Sequence, residues 1–225
     1  MTEKIKNFKR VLVANRGEIA IRIFRACREL GIRTVAIYSK EDKKALFRTK
    51  ADESYLIGKN KGPVEAYLNI DEIIDIALKK GVDAIHPGYG FLSENADFAK
   101  KCEEAGIVFI GPDADILSKM GDKIKSKKIA EKVGVSTIPG IENAISGIEE
   151  LEDFVDKYSL PIILKAAAGG GGRGMRIIKS RDKLEDSLKQ AKNEALKAFG
   201  VDDIFVEKYL VEPKHIEVQI LGDNY

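Results

Sequence analysis

The sequence predicts an α/β chain in two parts: a parallel sheet flanked by helices, then a smaller α+β part that carries a glycine-rich loop. Three observations predict it. Short apolar runs alternate with helical patterns as far as Gly111-Pro112, the rhythm of a parallel sheet. Beyond that point the order becomes helix, strand, loop, strand, helix, strand. Between two of those strands, residues 165–175 read KAAAGGGGRGM, and a glycine run is a poor choice for a packed element.

Each element has its own signal. RVLVAN (10–15) reads as a buried strand, and residues 17–30 place Ile19, Ile23, Ala26, Cys27 and Leu30 on one helical face. RTVAIYS (33–39), SYLIG (54–58), VDAIHPG (82–88) and IVFIGP (107–112) are further strands, with helices near 69–80 and 93–105. Ligands on such sheets lie beyond the carboxyl ends of the strands, where ANRGE (14–18) and HPGYGFLSEN (86–95) fall. In the second part, KMGDKIKSKKIAEKVG (119–134) reads as a helical connector and a helix follows near 147–158. PIILK (161–165) and MRIIK (175–179) are strands around the glycines. A helix over 181–199 keeps Leu184, Leu188, Ala191, Ala195 and Phe199 in register, and DIFVEKYL (203–210) and KHIEVQIL (214–221) read as closing strands.

Composition excludes several classes. The 225 residues suffice for one large domain or two small ones. Lys and Arg total 38 against 36 Asp and Glu, a net charge of +2, so nothing in the bulk charge points to nucleic acid or an anionic membrane. The start, MTEKIKNFKR, lacks the apolar core of a signal peptide, and no apolar run approaches a membrane span. The expected location is cytoplasmic. Cys27 and Cys102 form no metal-ligand spacing and read as buried thiols.

The glycine loop fails two phosphate-cradle patterns. Gly169, Gly171 and Gly174 satisfy GxGxxG, but a strand follows where a dinucleotide fold needs a helix. A Walker A loop needs Lys and Ser or Thr where the chain has Met175 and Arg176. What remains is a hairpin whose glycine turn acts as a flap, its N–H groups free to approach anionic oxygens, with Lys165 at its edge. A loose surface hairpin is the alternative. In KHIEVQIL, strand alternation sets Ile216, Val218 and Ile220 against His215, Glu217 and Gln219. A solvated polar face explains the second set equally well. In DIFVEKYL it sets Phe205, Glu207 and Tyr209 against Val206, Lys208 and Leu210, a pattern that suits an adenine slot.

VLVANRGEIAIRIFRACRELGIRTVAIYS, AIHPGYGFLSEN, FIGP, MGDK, KAAAGGGGRGM, VEKYL and KHIEVQILGD together resemble the amino-terminal part of biotin carboxylases, in the family's order and over nearly the whole chain. YSKED (38–42), KADESYLIG (50–58) and GPVEAYLNIDEII (62–74) resemble the pyruvate carboxylase branch more than the separate subunit of acetyl-CoA carboxylase. The resemblance implies a Rossmann-like biotin carboxylase N-terminal domain over 1–112 and an ATP-grasp domain over 113–225. The latter divides into a connector (113–136), a lid subdomain (137–209) and the start of the larger subdomain (210–225).

By resemblance, Lys123 and Lys165 contact ATP phosphates, and Gly171 and Gly172 lie on a mobile lid over them. Glu207, Lys208, Tyr209 and Leu210 form the hinge that reads adenine, and His215 lies beside the nucleotide. Glu217 is a second-tier candidate for the active site. His86 is read as packing or loop bracing. The implied reaction is ATP-dependent carboxylation of biotin by bicarbonate through carboxyphosphate, with ATP, Mg2+ or Mn2+ and biotin as cofactors. The implied partners are a biotin carboxyl carrier and a carboxyltransferase, and homo-oligomers are expected of the complete protein.

Family chains continue beyond GDNY (222–225) into the part that holds the metal-binding carboxylates, the general base and the bicarbonate and biotin groups. The expectation is therefore a fragment with no metal ligands and no main catalytic residues of its own, inactive in isolation. The alternatives are the biotin carboxylase of an acyl-CoA carboxylase, another ATP-grasp ligase such as a carbamoyl-phosphate or purine-pathway enzyme, and a non-catalytic nucleotide-binding or assembly module.

Overall fold

In a computed structural model of the chain, the described residues are 7–141, 143–167, 174–220 and 222, without the side chains of Lys123, Ile124 and Phe199. They form two compact units, Met1–Ser126 and Lys127–Tyr225.

The first unit is a five-stranded parallel sheet with helices on both faces. Its strands are β1 (Arg10–Val13), β2 (Arg33–Tyr38), β3 (Glu53–Leu56), β4 (Ala84–His86) and β5 (Val108–Phe109), in the order β3-β2-β1-β4-β5. Alternation along each strand feeds two cores. Leu12, Val35, Ile37 and Ile85 point to one face, where they pack with Ile73 and Ala77 of α3 (Ile70–Lys79) and Phe98 and Cys102 of α4 (Ala96–Glu104). Val11, Val13, Ala36 and Ala84 point to the other, against Ala20, Ile23, Phe24 and Cys27 of α1 (Gly17–Glu29). A short helix, α2 (Pro63–Tyr67), precedes α3 and buries Tyr67; five residues are too few to show a helical period.

The buried face of α1 differs from the expected one. Leu30 is 75% exposed and Ala26 is exposed as well, while Ala20 and Phe24 take the core positions. Ala20, Phe24 and Cys27 are spaced four and three apart, so the stripe that includes phenylalanine outcompetes the one that includes Leu30. Both cysteines are free and buried.

The connector is two helices, α5 (Ala114–Gly121) and α6 (Lys123–Lys132), parted at Asp122, which is extended. The second unit then builds a three-stranded antiparallel sheet from β6 (Ile162–Ala166), β7 (Met175–Ile178) and β8 (Ile204–Lys208), in the order β7-β6-β8. Two helices, α7 (Ile148–Tyr158) and α8 (Leu184–Phe199), cover one face. Ile162, Leu164, Ala166, Ile178, Ile204 and Val206 meet Leu151, Phe154, Leu184, Leu188 and Ala195 there.

The expected strand over KHIEVQIL is absent. Residues 213–220 have no regular secondary structure, and Ile216, Val218 and Ile220 are 80%, 78% and 80% exposed. A strand is defined by its hydrogen-bonded neighbour, and among the described residues none pairs with this segment.

Candidate nucleotide-binding site

The two faces of the second sheet are unlike. The helix-covered face is closed, and Arg176 reaches across it from β7 to Gln190 and Glu194 of α8, at 2.9 and 2.6 Å. The opposite face carries Ile163, Lys165, Phe205 and Glu207, all half-buried, and Met175 and Ile177, which are 49% and 42% exposed. It is an apolar floor with one cation and one anion set into it.

The cation and anion meet. Lys165 pairs in register with Phe205, and Ile163 with Glu207, so Lys165 and Glu207 are diagonal neighbours on one face, within reach of long side chains. The Lys165 Nζ donates to Glu207 Oε2, in a pair about one-third exposed on both sides. Alternation sends Lys208 the other way, where its ammonium donates to the carbonyls of Ser159 and Leu160 at 3.1 and 3.0 Å.

The far edge of β8 is covered too. Ile145 N donates to Ile204 O at 2.7 Å, Ile141 N to Val206 O at 3.1 Å, and Lys208 N to Pro139 O at 2.8 Å. Gly140 bridges Glu207 here because there is no room for a side chain: a Cβ would lie 2.9 Å from Glu207 Cγ and 3.0 Å from Val206 O. The strand ends as Tyr209 N donates to Pro161 O at 3.1 Å. Among the described residues, the Tyr209 carbonyl and the Leu210 amide have no backbone partner. A free acceptor and a free donor thus follow one another at the edge of the apolar floor.

Of the residues singled out from the sequence, Lys165 and Glu207 come together, and Tyr209 and Leu210 supply the free backbone groups. His215 and Glu217 stand 3.8 Å apart in the exposed segment, with side chains 87% and 72% exposed. Lys123 opens α6, but its side chain lies outside the described residues, as do Gly171 and Gly172. Sequence reasoning missed the Lys165–Glu207 ion pair and the Gly140 edge. The only signal for the latter is the Pro139-Gly140 dipeptide, a turn mark.

The first unit has a crevice of its own, where the strand order reverses between β1 and β4. It is filled from within. Asn15 is 3% exposed and donates from Nδ2 to the carbonyls of Pro87 and Tyr89 at 2.7 and 2.8 Å. Gly88 crosses it at φ +67°, where a Cβ would sit 2.7 Å from Asn15 Nδ2. His86 accepts from Gly88 N–H at Nδ1, 3.0 Å away, a brace for this loop, and burial pulls its pKa down.

Residues 7–117 match the biotin carboxylase N-terminal domain, and residues 122–225 match the ATP binding domain of the carbamoyl-phosphate synthase L chain. The chain belongs to the biotin carboxylase family. Within it, the region matched is the amino-terminal biotin carboxylase region of pyruvate carboxylases. It is 56% identical to mitochondrial pyruvate carboxylase of Mus musculus over 220 residues, 98% of this chain and 19% of that protein. It is 57% identical to pyruvate carboxylase of Bacillus subtilis over 219 residues, 97% of this chain and again 19% of the other. The chain thus spans about a fifth of the length of these relatives. Among solved structures, the biotin carboxylase domain of Hydrogenobacter thermophilus 2-oxoglutarate carboxylase, a dimer in complex with MgADP, ADP and bicarbonate, is similar at a TM-score of 0.72 and 50% identity. That likeness covers 92% of this chain and 45% of that one.

Proposed function

We propose that this chain is the part of a biotin-dependent carboxylase that holds one wall of the nucleotide site. The reaction served is ATP-dependent carboxylation of biotin by bicarbonate, the biotin carboxylase step of pyruvate carboxylase. Residues 1–112 form its N-terminal domain and 113–225 the first part of an ATP-grasp domain. The observation that carries this reading is the open sheet face, where Lys165 and Glu207 sit on an apolar floor beside the free Tyr209 carbonyl and Leu210 amide.

The floor fits a nucleotide. A purine lies on Ile163, Met175, Ile177 and Phe205 as a flat apolar body, and the hinge backbone reads its edge by one accepted and one donated hydrogen bond. The Lys165 ammonium, held by Glu207 in the free protein, turns to a phosphate oxygen as a point charge. Lys123 takes a second phosphate, Gly171 and Gly172 close over the chain of phosphates, and His215 and Glu217 approach from the exposed segment. These assignments rest on the family resemblance.

A divalent ion, Mg2+ or Mn2+, supplies charge neutralisation at the phosphates in this chemistry. Among the described residues no three His, Cys, Asp or Glu side chains converge to hold one. The biotin carrier, the carboxyltransferase and the acceptor of the carboxyl group belong to other parts of such a protein, and homo-oligomers are proposed for it when complete. Among the described residues no helix is long and apolar enough to cross a membrane. The compartment proposed is the cytoplasm; the mouse relative is named as mitochondrial.

Calorimetric titration with ADP and ATP tests the reading. Lys165→Ala is expected to cost about 1.5–3 kcal/mol of ATP binding, the range for a hydrogen bond to a charged group. Unchanged affinity removes Lys165 from the site.

A further inference from the structure

Lys208 lies in the hinge, yet its side chain is aimed away from the open face. α7 ends at Tyr158, and Ser159 adopts φ +61° as the chain turns towards β6. A helix C-terminus leaves carbonyls without intrahelical donors and carries partial negative charge. The Lys208 ammonium donates to the first two carbonyls past that end, those of Ser159 and Leu160. The next carbonyl, of Pro161, accepts from the Tyr209 amide. On the other edge the Lys208 amide is held by Pro139 O at 2.8 Å. Consecutive carbonyls 159, 160 and 161 thus grip residues 208 and 209, immediately before the two backbone groups left free.

We infer that Lys208 is a positioning residue: its ammonium clamps the turn after α7 and so fixes the backbone of Tyr209 and Leu210 for recognition of a base, without touching the nucleotide itself. This deepens, and rests on, the nucleotide-binding reading above. The clamp acts on the base-reading backbone and leaves the phosphate-binding cation alone. Its loss is therefore selective. Phosphates held by Lys165 keep their affinity, while the contribution of the adenine falls.

The test uses the full chain with Lys208→Met and Lys208→Arg, and two readouts. Amide hydrogen exchange at Tyr209 is compared with that at Val206. Affinities for ADP and for tripolyphosphate, which has no base, are measured by calorimetry. In Lys208→Met, Tyr209 exchange is expected to rise about tenfold with Val206 unchanged, and ADP binding to weaken about tenfold, the equivalent of one lost charged hydrogen bond. Tripolyphosphate binding is expected to hold. Lys208→Arg restores both readouts, because guanidinium donors reach two carbonyls. Equal losses for ADP and tripolyphosphate overturn the inference by making Lys208 a phosphate ligand. Unchanged Tyr209 exchange overturns it as well. If the unsubstituted chain binds no ADP, the nucleotide reading fails, and the exchange at Tyr209 still decides whether the clamp exists.

Discussion

Asp42 is 5% exposed and keeps its charge through its partners. Arg16 grips it with two nitrogens, Nε at 2.7 Å, while Tyr67 OH donates at 2.8 Å and Ser39 Oγ at 3.4 Å. Burial alone drives a carboxyl pKa up, but here the hydrogen bonds from Arg16 and Tyr67 outweigh it and hold the pKa below the ordinary value. Burial and the neighbouring Asp42 push the Tyr67 phenol far up, so it stays a donor. A carboxyl whose folded pKa is depressed adds stability above its unfolded pKa of about 3.9, and that stability is lost as pH falls through the lower folded value. Asp42→Asn is expected to destabilise the first unit by about 1–2 kcal/mol at pH 7, at the low end for a broken buried pair because Arg16 is half-exposed and regains water. In urea titrations the gap between the two proteins should close below about pH 4. A gap that persists unchanged into acid shows that packing, and not charge, is what the substitution removed.

Elements differ in how much of them the sequence reveals. The β6–β7 hairpin is legible because each strand is a short apolar run and the glycines between them fit no helix. The Lys165–Glu207 pair is not, since it depends on cross-strand register, which neither strand specifies alone. Ile216, Val218 and Ile220 alternate as well as any true strand here, yet alternation gives only the capacity to pair. The β8 edge tests how tightly the site is built. Gly140→Ala presses a methyl against Glu207 Cγ and Val206 O, atoms at 2.9 and 3.0 Å, and overpacking of this kind costs about 1–3 kcal/mol. Gly121→Ala is the control, because nothing lies within 4 Å of its Cβ position and it sits in the last turn of α5, where alanine is favoured over glycine. Gly140→Ala is expected to lower the denaturation midpoint and weaken ADP binding while Gly121→Ala does neither. Equal stability of the two variants means that this edge yields without cost.

At the scale of the whole molecule, each hydrophobic cluster of the described residues lies within one unit. Two clusters cover the two faces of the parallel sheet, and all their residues lie in the first unit. The third lies between the antiparallel sheet and its helices, wholly in the second. Cooperativity follows shared packing, so each unit is expected to unfold as its own step, and one transition for the chain is the wrong description. Leu12 and Leu164 are both fully buried, one in each unit. Truncation to alanine removes transfer energy and leaves a cavity, at a cost of about 2–5 kcal/mol. Leu12→Ala should move only the transition followed by exchange in peptides of the parallel sheet. Leu164→Ala should move only that of the antiparallel sheet, and with it the nucleotide affinity that depends on Lys165 beside it. The chain has no tryptophan, so hydrogen exchange read by mass spectrometry across a denaturant series is the measurement that resolves the two. If either substitution shifts peptides of both sheets by the same amount, the two cores are coupled and the chain folds as one unit.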